Sequence, residues 1–264
     1  MKEKSLGREM IGEIFGTFIL ILLGDGVVAN VGLAPRLASV GYNWNTITFG
    51  WAFAVIVAVY VSAGVSGAHL NPAVTLGLAV KRGFPWKKVF PYIVSQVVGA
   101  FLGALAVFLI YRDGLVAAGL PNVWCTGPGS VFGQAFWGGA TTASALGPYS
   151  MGTAIITEIF GTMVLMWGIL ASGDSKNIGL MHNMGPFLVG GTVLAVGLSL
   201  GGPSGYAINP ARDFGPRLLG LVVGTKGLFD SIYWLIVPII STIVGGILGP
   251  IFYDWFVSAA LKEN

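Results

Sequence analysis

Charged side chains are scarce in this sequence: only 9% of its 264 residues are Asp, Glu, Lys or Arg, whereas 55% are hydrophobic. Soluble domains carry about 25% charged residues. A chain so poor in charge cannot cover a globular surface with water-soluble side chains, so lipid is the expected solvent. The net charge of +3 is modest and no long basic run occurs, so we expect no nucleic-acid partner.

Cysteine and histidine are also nearly missing. Cys125 is the one cysteine, which excludes an intramolecular disulfide and a cysteine metal cluster. The two histidines, His69 and His182, lie far apart and lack metal-ligand spacing. The sequence also offers no nucleophile with a neighbouring base. We therefore expect no metal, no cofactor and no enzymatic activity.

Long apolar stretches, by contrast, are abundant. A membrane helix needs about 20 mostly apolar residues. Six stretches qualify, at roughly 10–29, 45–63, 90–111, 152–171, 183–200 and 232–257. Two further apolar stretches, at about 71–80 and 209–220, are too short to span a bilayer, and each begins with Asn-Pro-Ala. Proline suits the first turn of a helix, because its missing N–H would be unpaired there. The short stretches are therefore predicted to be half-helices that begin inside the membrane.

The positive charges predict the orientation. Nine of the fourteen Lys and Arg residues fall on one side of the predicted spans, among them Lys2, Lys4 and Arg8 before the first span. The positive-inside rule then places both termini in the cytoplasm, as expected for a multi-pass protein of the cell membrane. This basic start leads into a long apolar run without a cleavage site, which indicates a first span rather than a signal peptide.

The chain contains an internal repeat. The block Glu-Ile-Phe-Gly-Thr occurs at 13–17 and again at 158–162, and Ser-Gly-x-x-x-Asn-Pro-Ala occurs at 66–73 and again at 204–211. Three predicted spans, an odd number, separate the two glutamate blocks, so the second half enters the membrane upside down. We predict a single domain of residues 1–264 with inverted halves at about 8–111 and 152–257, joined by an external loop at 112–151. Inverted repeats place the working site near the midplane, where broken helices meet.

A pair of inverted half-helices has specific electrostatics. The two helices enter from opposite faces and meet end to end, so both positive dipole ends point at the midplane. Asn71 and Asn209 would cap these ends, with side-chain amides free to donate hydrogen bonds into a pore. A cation meets a positive potential there, whereas a neutral hydrogen-bond acceptor does not. One Asn-Pro-Ala block alone is an ordinary helix cap, but two blocks in inverted halves predict a channel.

Tandem Asn-Pro-Ala blocks on an inverted six-span repeat resemble the major intrinsic protein family, over nearly the whole chain. This implies an all-α, aquaporin-like membrane protein with six transmembrane helices and two half-helices in an inverted repeat. Aquaporin-type pores exclude protons and cations by the electrostatics just described. The pore motifs assigned by the resemblance are Asn71, Pro72, Ala73, Asn209, Pro210 and Ala211.

Other positions resemble the glycerol-conducting branch, the aquaglyceroporins. Asp213 directly follows Asn-Pro-Ala-Arg, and Pro238-Ile239 stands in the last span where an aromatic pair is found in water-selective members. The resemblance implies a passive channel for glycerol, other small neutral solutes and water. It also implies a homotetramer in the lipid bilayer. The external loop either folds against the channel mouth or is a mobile linker.

The resemblance further implies a constriction formed by Trp51, Gly197, Tyr206 and Arg212. Gly197 stands where water-selective members carry histidine, so we expect a wider pore. The aromatic faces would take the carbon edge of a polyol, while Arg212 bonds its hydroxyls and repels cations. Tyr206 departs from the phenylalanine common in glycerol facilitators, which keeps dihydroxyacetone and protonated lactic acid open as preferred solutes. Cys125 lies far in sequence from these residues, so weak or no inhibition by mercury reagents is expected.

Three acidic residues within spans need an explanation, because a carboxylate there is costly and usually has a partner. The resemblance implies that Glu13 and Glu158 accept hydrogen bonds from the loops leading to Asn71 and Asn209, rather than carry protons. Asp25, late in the first span, is expected to be interfacial and solvated, with no assigned role. Loop carbonyls at 67–70 and 205–208 should line the pore as acceptors, which assigns Gly67, Ala68, His69, Leu70, Ala207 and Ile208 to the lining.

Three alternatives differ from a polyol channel. A secondary active transporter also uses inverted repeats and broken helices, but it needs coupling-ion ligands at the midplane. A water-selective channel of the same family is disfavoured by Gly197 and Asp213. A membrane enzyme is disfavoured by the missing nucleophile–base pair and metal cluster.

Overall fold

The computed structural model describes residues 5–33, 43–127, 130, 149–178 and 183–262. These residues are predominantly helical. The principal helices within them are α1 Leu6–Leu33, α2 Trp44–Ser66, α3 Pro72–Lys81, α4 Trp86–Ala117, α5 Met151–Gly173, α6 Gly185–Leu200, α7 Pro210–Val223 and α8 Tyr233–Ser258.

Five helices of the described ranges, α1, α2, α4, α5 and α8, are long and apolar enough to cross a membrane. Helix α6 is apolar but has 16 residues, and residues 179–182 before it lie outside the described ranges. Helices α3 and α7 have 10 and 14 residues. At a rise of about 1.5 Å per residue they are too short for a hydrocarbon core of about 30 Å. The prediction of an all-α membrane fold with two half-helices is confirmed.

Two helices are longer than the sequence predicted. Helix α1 runs from Leu6 to Leu33 rather than over 10–29, and α4 runs from Trp86 to Ala117 rather than over 90–111. The loop that was predicted to be external therefore begins after Ala117, not at 112. The predicted bounds followed the apolar core of each helix, but a helix continues into the polar interface wherever its residues still favour helical backbone.

The packing of the helices has the same pattern in both halves. Helix α1 packs against α2 and α4, and α5 packs against α6 and α8. Each half-helix also packs against the last full helix of the opposite half: α3 against α8, and α7 against α4. Glycine permits the closest approaches, since a Cβ at Gly99 would lie 2.3 Å from the Ile14 carbonyl and one at Gly245 would lie 2.3 Å from the Ile159 carbonyl.

The half-helices begin in the same way. Asn71 and Asn209 have extended backbone, with φ of −157° and −158°. Their Oδ1 atoms accept hydrogen bonds from the N–H groups of Ala73 at 2.9 Å and Ala211 at 3.0 Å. Proline follows as the first helical residue in both, where it forfeits no helical hydrogen bond. Asparagine capping and proline together explain why each helix begins directly after its asparagine.

Candidate channel and its constriction

The loops that lead into the half-helices share an unusual backbone. Positive φ values occur at Gly67, Ala68 and Leu70 in the first loop, at 89°, 52° and 51°. They recur at Gly205, Tyr206 and Ile208 in the second, at 87°, 41° and 45°. Left-handed backbone at a residue other than glycine costs about 1–3 kcal/mol and persists only where its surroundings impose it. Both loops must therefore be held in place.

Two fully buried glutamates hold these loops. Oε1 of Glu13 accepts from the His69 N–H at 3.0 Å, and Oε2 accepts from the Leu70 N–H at 2.7 Å. Glu158 accepts in the same way from the N–H groups of Ala207 at 2.7 Å and Ile208 at 2.8 Å. These carboxylates supply acceptors to N–H groups that helix or sheet would otherwise pair. Because these N–H groups bond to the glutamates and not to backbone carbonyls, the loops need not be helical.

Sequence reasoning missed two side chains of α4 that help to hold the first loop and Glu13. Nε2 of Gln96 in α4 donates to Oε2 of Glu13 at 2.7 Å and lies 2.9 Å from the Thr75 hydroxyl. The Tyr92 hydroxyl donates to the Ser66 carbonyl at 2.9 Å. Gln96 and Tyr92 lie in a long apolar helix, and a single buried polar residue in such a helix is a usable signal of a hydrogen-bonded network.

The two asparagines bond across the meeting point of the half-helices. Nδ2 of Asn71 donates to the Ile208 carbonyl, and Nδ2 of Asn209 donates to the Leu70 carbonyl, both at 2.8 Å. The expectation of wholly free amides is therefore corrected, because one N–H of each amide is used by the opposite loop. An amide nitrogen carries two hydrogens, so one donor on each asparagine remains for another acceptor.

A cavity of about 260 Å³ runs past both asparagines. One part of its wall is polar and consists of the loops 67–71 and 206–209 together with Arg212. Another part is aliphatic, and its residues are Leu20, Val55, Val59, Val74, Val189 and Val193. A lining of this composition matches a molecule that has carbon on one edge and hydroxyl groups on the other.

Trp51, Tyr206 and Arg212 meet at this cavity. The Arg212 guanidinium carbon lies 4.1 Å from the centroid of the Trp51 ring, a cation–π contact. The backbone N–H of Arg212 donates to Oδ1 of Asn209 at 3.3 Å, which links the cation to the cap. The Tyr206 ring packs edge-on against Trp44, with centroids 5.5 Å apart.

The sequence matches a known protein family over most of its length. The family model described as Major intrinsic protein matches residues 1–253. The chain belongs to the major intrinsic protein family. It is 47% identical over 254 residues to the probable glycerol uptake facilitator protein of Thermotoga maritima, covering 93% of this chain and 97% of that one. It is 39% identical to the glycerol uptake facilitator protein of Bacillus subtilis, covering 92% and 82%.

A solved structure supports the same assignment. The aquaglyceroporin from Plasmodium falciparum superposes with a TM-score of 0.84 at 32% identity, covering 98% of this chain and 100% of that chain. Among the residues that the structure describes, no group of three or more His, Cys, Asp or Glu side chains could hold a metal ion.

Gly197 of this major intrinsic protein is buried beside Tyr206 and is not among the residues that border the cavity. It was expected to leave the pore wide, and any such effect would act through Tyr206. A Cβ at Gly197 would lie 2.9 Å from both the Thr48 methyl group and the Tyr206 Cζ atom. The Tyr206 ring therefore occupies the space that a side chain at position 197 would fill.

Two further polar residues differ from expectation. Asp25 is fully buried rather than solvated, and α1 continues for about two turns beyond it. Neither of its carboxylate oxygens has a hydrogen-bond partner among the described residues. The Tyr206 hydroxyl is likewise buried without a partner within the described ranges. It donates to no carbonyl of the described backbone.

The loop that follows α4 in this family member, predicted to be external, packs onto α7 over the part that is described. Asp213, with no exposed surface, accepts from the Thr126 N–H at 2.8 Å and from its hydroxyl at 2.6 Å. Arg217, one turn later, donates from Nε to Asp213 at 2.9 Å and from Nη2 to the Thr126 carbonyl at 3.0 Å. Asp213 is thus a structural clamp, and its i,i+4 spacing from Arg217 could have indicated the pair. Residues 128–129 and 131–148 lie outside the described ranges.

Cys125 and His69 also have defined surroundings. Cys125 is buried in the folded loop and borders a cavity of about 20 Å³ together with Tyr206 and Arg212, so its distance in sequence was misleading. His69 borders the main cavity, and its Nδ1 lies 3.1 Å from the Thr75 hydroxyl. Its ring packs on Phe84, with centroids 4.5 Å apart. The second histidine of the sequence, His182, lies outside the described residues.

Proposed function

We propose that this protein is a passive channel for glycerol and other small uncharged polyols, with water, and that it excludes protons and ions. The observation that carries the proposal is the single cavity bordered by Asn71, Asn209, Trp51, Tyr206 and Arg212. Similarity to glycerol uptake facilitators and to an aquaglyceroporin supports the solute class. A channel, rather than an enzyme, is also what the family contains.

Permeation would proceed along two complementary walls. The carbon edge of a polyol slides past the Trp51 and Tyr206 rings and the aliphatic wall beyond them. Its hydroxyls accept from Arg212 and from the free N–H of each asparagine. They donate to the loop carbonyls, of which those of Leu70 and Ile208 already accept one bond from the asparagines and have a second lone pair left. This proposal gives pore-lining roles to Gly67, Ala68, His69, Leu70, Ala207 and Ile208.

Charge selection rests on the same residues. The amino ends of α3 and α7 carry partial positive charge, and Arg212 adds a full one beside the constriction. A cation entering the cavity would lose hydration against this potential, and none of the described residues that border the cavity is an Asp or Glu that could replace that hydration. Neutral solutes lose nothing comparable, because hydrogen bonds replace those made to water.

The preferred solute depends on Tyr206. Its hydroxyl is buried without a partner among the described residues and is a donor that phenylalanine lacks, so dihydroxyacetone and protonated lactic acid are alternatives to glycerol. A mainly water-selective channel is less well supported, because water gains nothing from the aliphatic wall of the cavity. A narrower, polar pore would suit water as well.

A secondary active transporter is the rival from another class. Such a protein needs a carboxylate that exchanges an ion, yet Glu13 and Glu158 are already committed to loop N–H groups. Asp25 is the described buried carboxylate without a partner, so it is the residue that a transporter mechanism would have to use. Uptake above the external concentration, abolished by Asp25→Asn, would favour the transporter.

The proposed organisation follows from the family and from the charge distribution. We place one channel domain, built from halves at about 8–111 and 152–257, in the cell membrane with both termini in the cytoplasm. Four copies would associate, each with its own pore, and the exposed apolar side chains of the spans would face lipid or a neighbouring copy.

Stopped-flow light scattering on proteoliposomes tests the proposal. Vesicles containing the purified protein are mixed with glycerol, larger polyols, dihydroxyacetone, lactic acid at low and neutral pH, or an impermeant osmolyte for water. Glycerol influx well above that of empty vesicles is the expected result. Rates equal to those of empty vesicles for every polyol, with fast water flux, would overturn the assigned solute class.

A further inference from the structure

Gly24 in α1 makes the tightest contact with the constriction. A Cβ built on Gly24 would lie 2.2 Å from Cζ3, 2.4 Å from Cη2 and 2.5 Å from Cε3 of Trp51. These distances are far below van der Waals contact, so no residue larger than glycine fits without displacing the indole ring. The backbone of α1 is therefore the surface against which the six-membered ring of Trp51 rests.

The indole ring has little freedom elsewhere. Trp51 is only 3% exposed, and the Arg212 guanidinium carbon lies 4.1 Å from its ring centroid. Protein interiors are close-packed, so a ring pushed off α1 moves toward whatever open space it borders. Trp51 borders two cavities together with Tyr206 and Arg212, and the main cavity of about 260 Å³ offers far more room than the other, of about 20 Å³.

Backbone conformation does not explain glycine at this position. Gly24 lies inside α1 and is not among the residues with positive φ. Glycine within a helix destabilises it by about 0.5–1 kcal/mol relative to alanine. Gly26, two residues later in the same helix, has open space where a Cβ would be. The contact with Trp51 thus distinguishes the two glycines, and Gly26 provides a matched control.

We propose that Gly24 is a positioning residue of the constriction: it sets where the Trp51 ring stands and thereby the width left for a polyol. This inference rests on the proposed function, since it assigns the cavity to a permeating solute. Gly24 touches no solute itself and acts through Trp51. Any added side chain at Gly24 would narrow the opening, and solutes with the largest cross-section would lose most.

The test compares four variants in proteoliposomes: Gly24→Ala, Trp51→Phe, the double variant, and the control Gly26→Ala. Gly24→Ala is expected to lower glycerol permeability by roughly tenfold while water permeability falls by less than about twofold, because overpacking shifts the ring rather than removing it. Phenylalanine lacks the outer indole atoms that Gly24 contacts. The double variant should therefore match Trp51→Phe alone, and Gly26→Ala should match wild type.

The outcomes separate this inference from the function beneath it. If Gly24→Ala conducts glycerol at the wild-type rate and water at the wild-type rate, the inference is overturned. An equal loss of both rates that Trp51→Phe does not rescue would also overturn it, because that indicates a general folding defect. A wild-type protein that conducts water but no polyol would overturn the proposed solute class instead. In that case the inference is tested on the water rate alone: a lower rate in Gly24→Ala that the double variant restores to that of Trp51→Phe would support it, and a wild-type rate in Gly24→Ala would overturn it.

Discussion

Asn71 and Asn209 are each bonded to the loop that precedes the other. Their side-chain nitrogens donate to the carbonyls of Ile208 and Leu70, both at 2.8 Å, while their side-chain oxygens cap their own half-helices. One amide thus performs two tasks, and only asparagine has the donor and the acceptor at the required spacing. The inverted halves are joined at the amino ends of α3 and α7 by this reciprocal pair.

Replacing Asn71 by aspartate separates the two tasks. The carboxylate keeps the capping acceptor but removes the donor, which leaves the Ile208 carbonyl without its partner. An unsatisfied buried group costs about 1–3 kcal/mol, so the unfolding temperature in detergent should fall. Asn209→Asp should have the same effect. The control is Asn45→Asp, an exposed position in the first turn of α2. Destabilisation by only one of the two pore variants would contradict equal roles for the two bonds.

Local signals in the sequence sufficed for the half-helices. Asparagine followed by proline predicts a helix start wherever it occurs, and its repetition at 71 and 209 in apolar surroundings predicted the inverted fold. Residues whose role depends on distant packing were beyond that reasoning. Gly197 suggested a wide pore because nothing near it in sequence shows that the Tyr206 ring fills its space. Asp25 looked interfacial because the end of α1 was placed too early.

Arg212 is expected to share the exclusion of cations with the half-helix dipoles. Arg212→Val removes the full charge but leaves both helix ends and both asparagines in place. Proton flux through proteoliposomes should therefore rise above the wild-type level while remaining well below that of an ionophore. The measurement is the decay of an imposed pH gradient, reported by an entrapped dye. A substantial proton current in the wild-type protein would contradict the proposed exclusion.

Asp213 and Arg217 form a buried ion pair, 2.7 Å apart at their nearest atoms, that anchors the external loop through Thr126. Asp213→Asn leaves the Arg217 charge uncompensated, and breaking a buried pair costs about 3–5 kcal/mol. The unfolding temperature should fall and the loop should become sensitive to protease. Asp113→Asn, at an exposed position, is the control. The double variant with Arg217→Gln should lose less than the sum of the single changes, and strict additivity would contradict a direct pair.

Cys125 is close to the constriction yet poorly suited to react. Burial raises the pKa of its thiol to about 12, with an opposing contribution from Arg217, so the reactive thiolate is scarce at neutral pH. Its Sγ also lies 3.3 Å from Oδ1 of Asn122. We expect mercury reagents to inhibit glycerol flux weakly at pH 7, with slow onset. Rapid, complete inhibition that Cys125→Ser abolishes would show that reagents reach the thiol through the small cavity beside Arg212.

Gly197 and Tyr206 lie directly against each other beside the constriction. A Cβ at Gly197 would lie 2.9 Å from the Tyr206 Cζ atom. Gly197→His should therefore push the Tyr206 ring into the opening, and polyol flux should fall much more than water flux. Gly191→His, at a glycine of α6 with open space around it, is the control. A similar loss in the control would show that any histidine in α6 impairs the channel.

Tyr206→Phe isolates the phenol. The Tyr206 hydroxyl has no partner among the described residues, although the side chain borders the cavity. We expect the permeating solute to supply that partner. One hydrogen bond is worth about 0.5–1.5 kcal/mol, which corresponds to roughly a two- to twelvefold change in rate. Glycerol flux relative to water should shift within that range, and larger polyols should gain most from the removed oxygen. Unchanged flux ratios together with a raised unfolding temperature would contradict this, since relief of an unsatisfied buried hydroxyl alone stabilises the protein without touching selectivity.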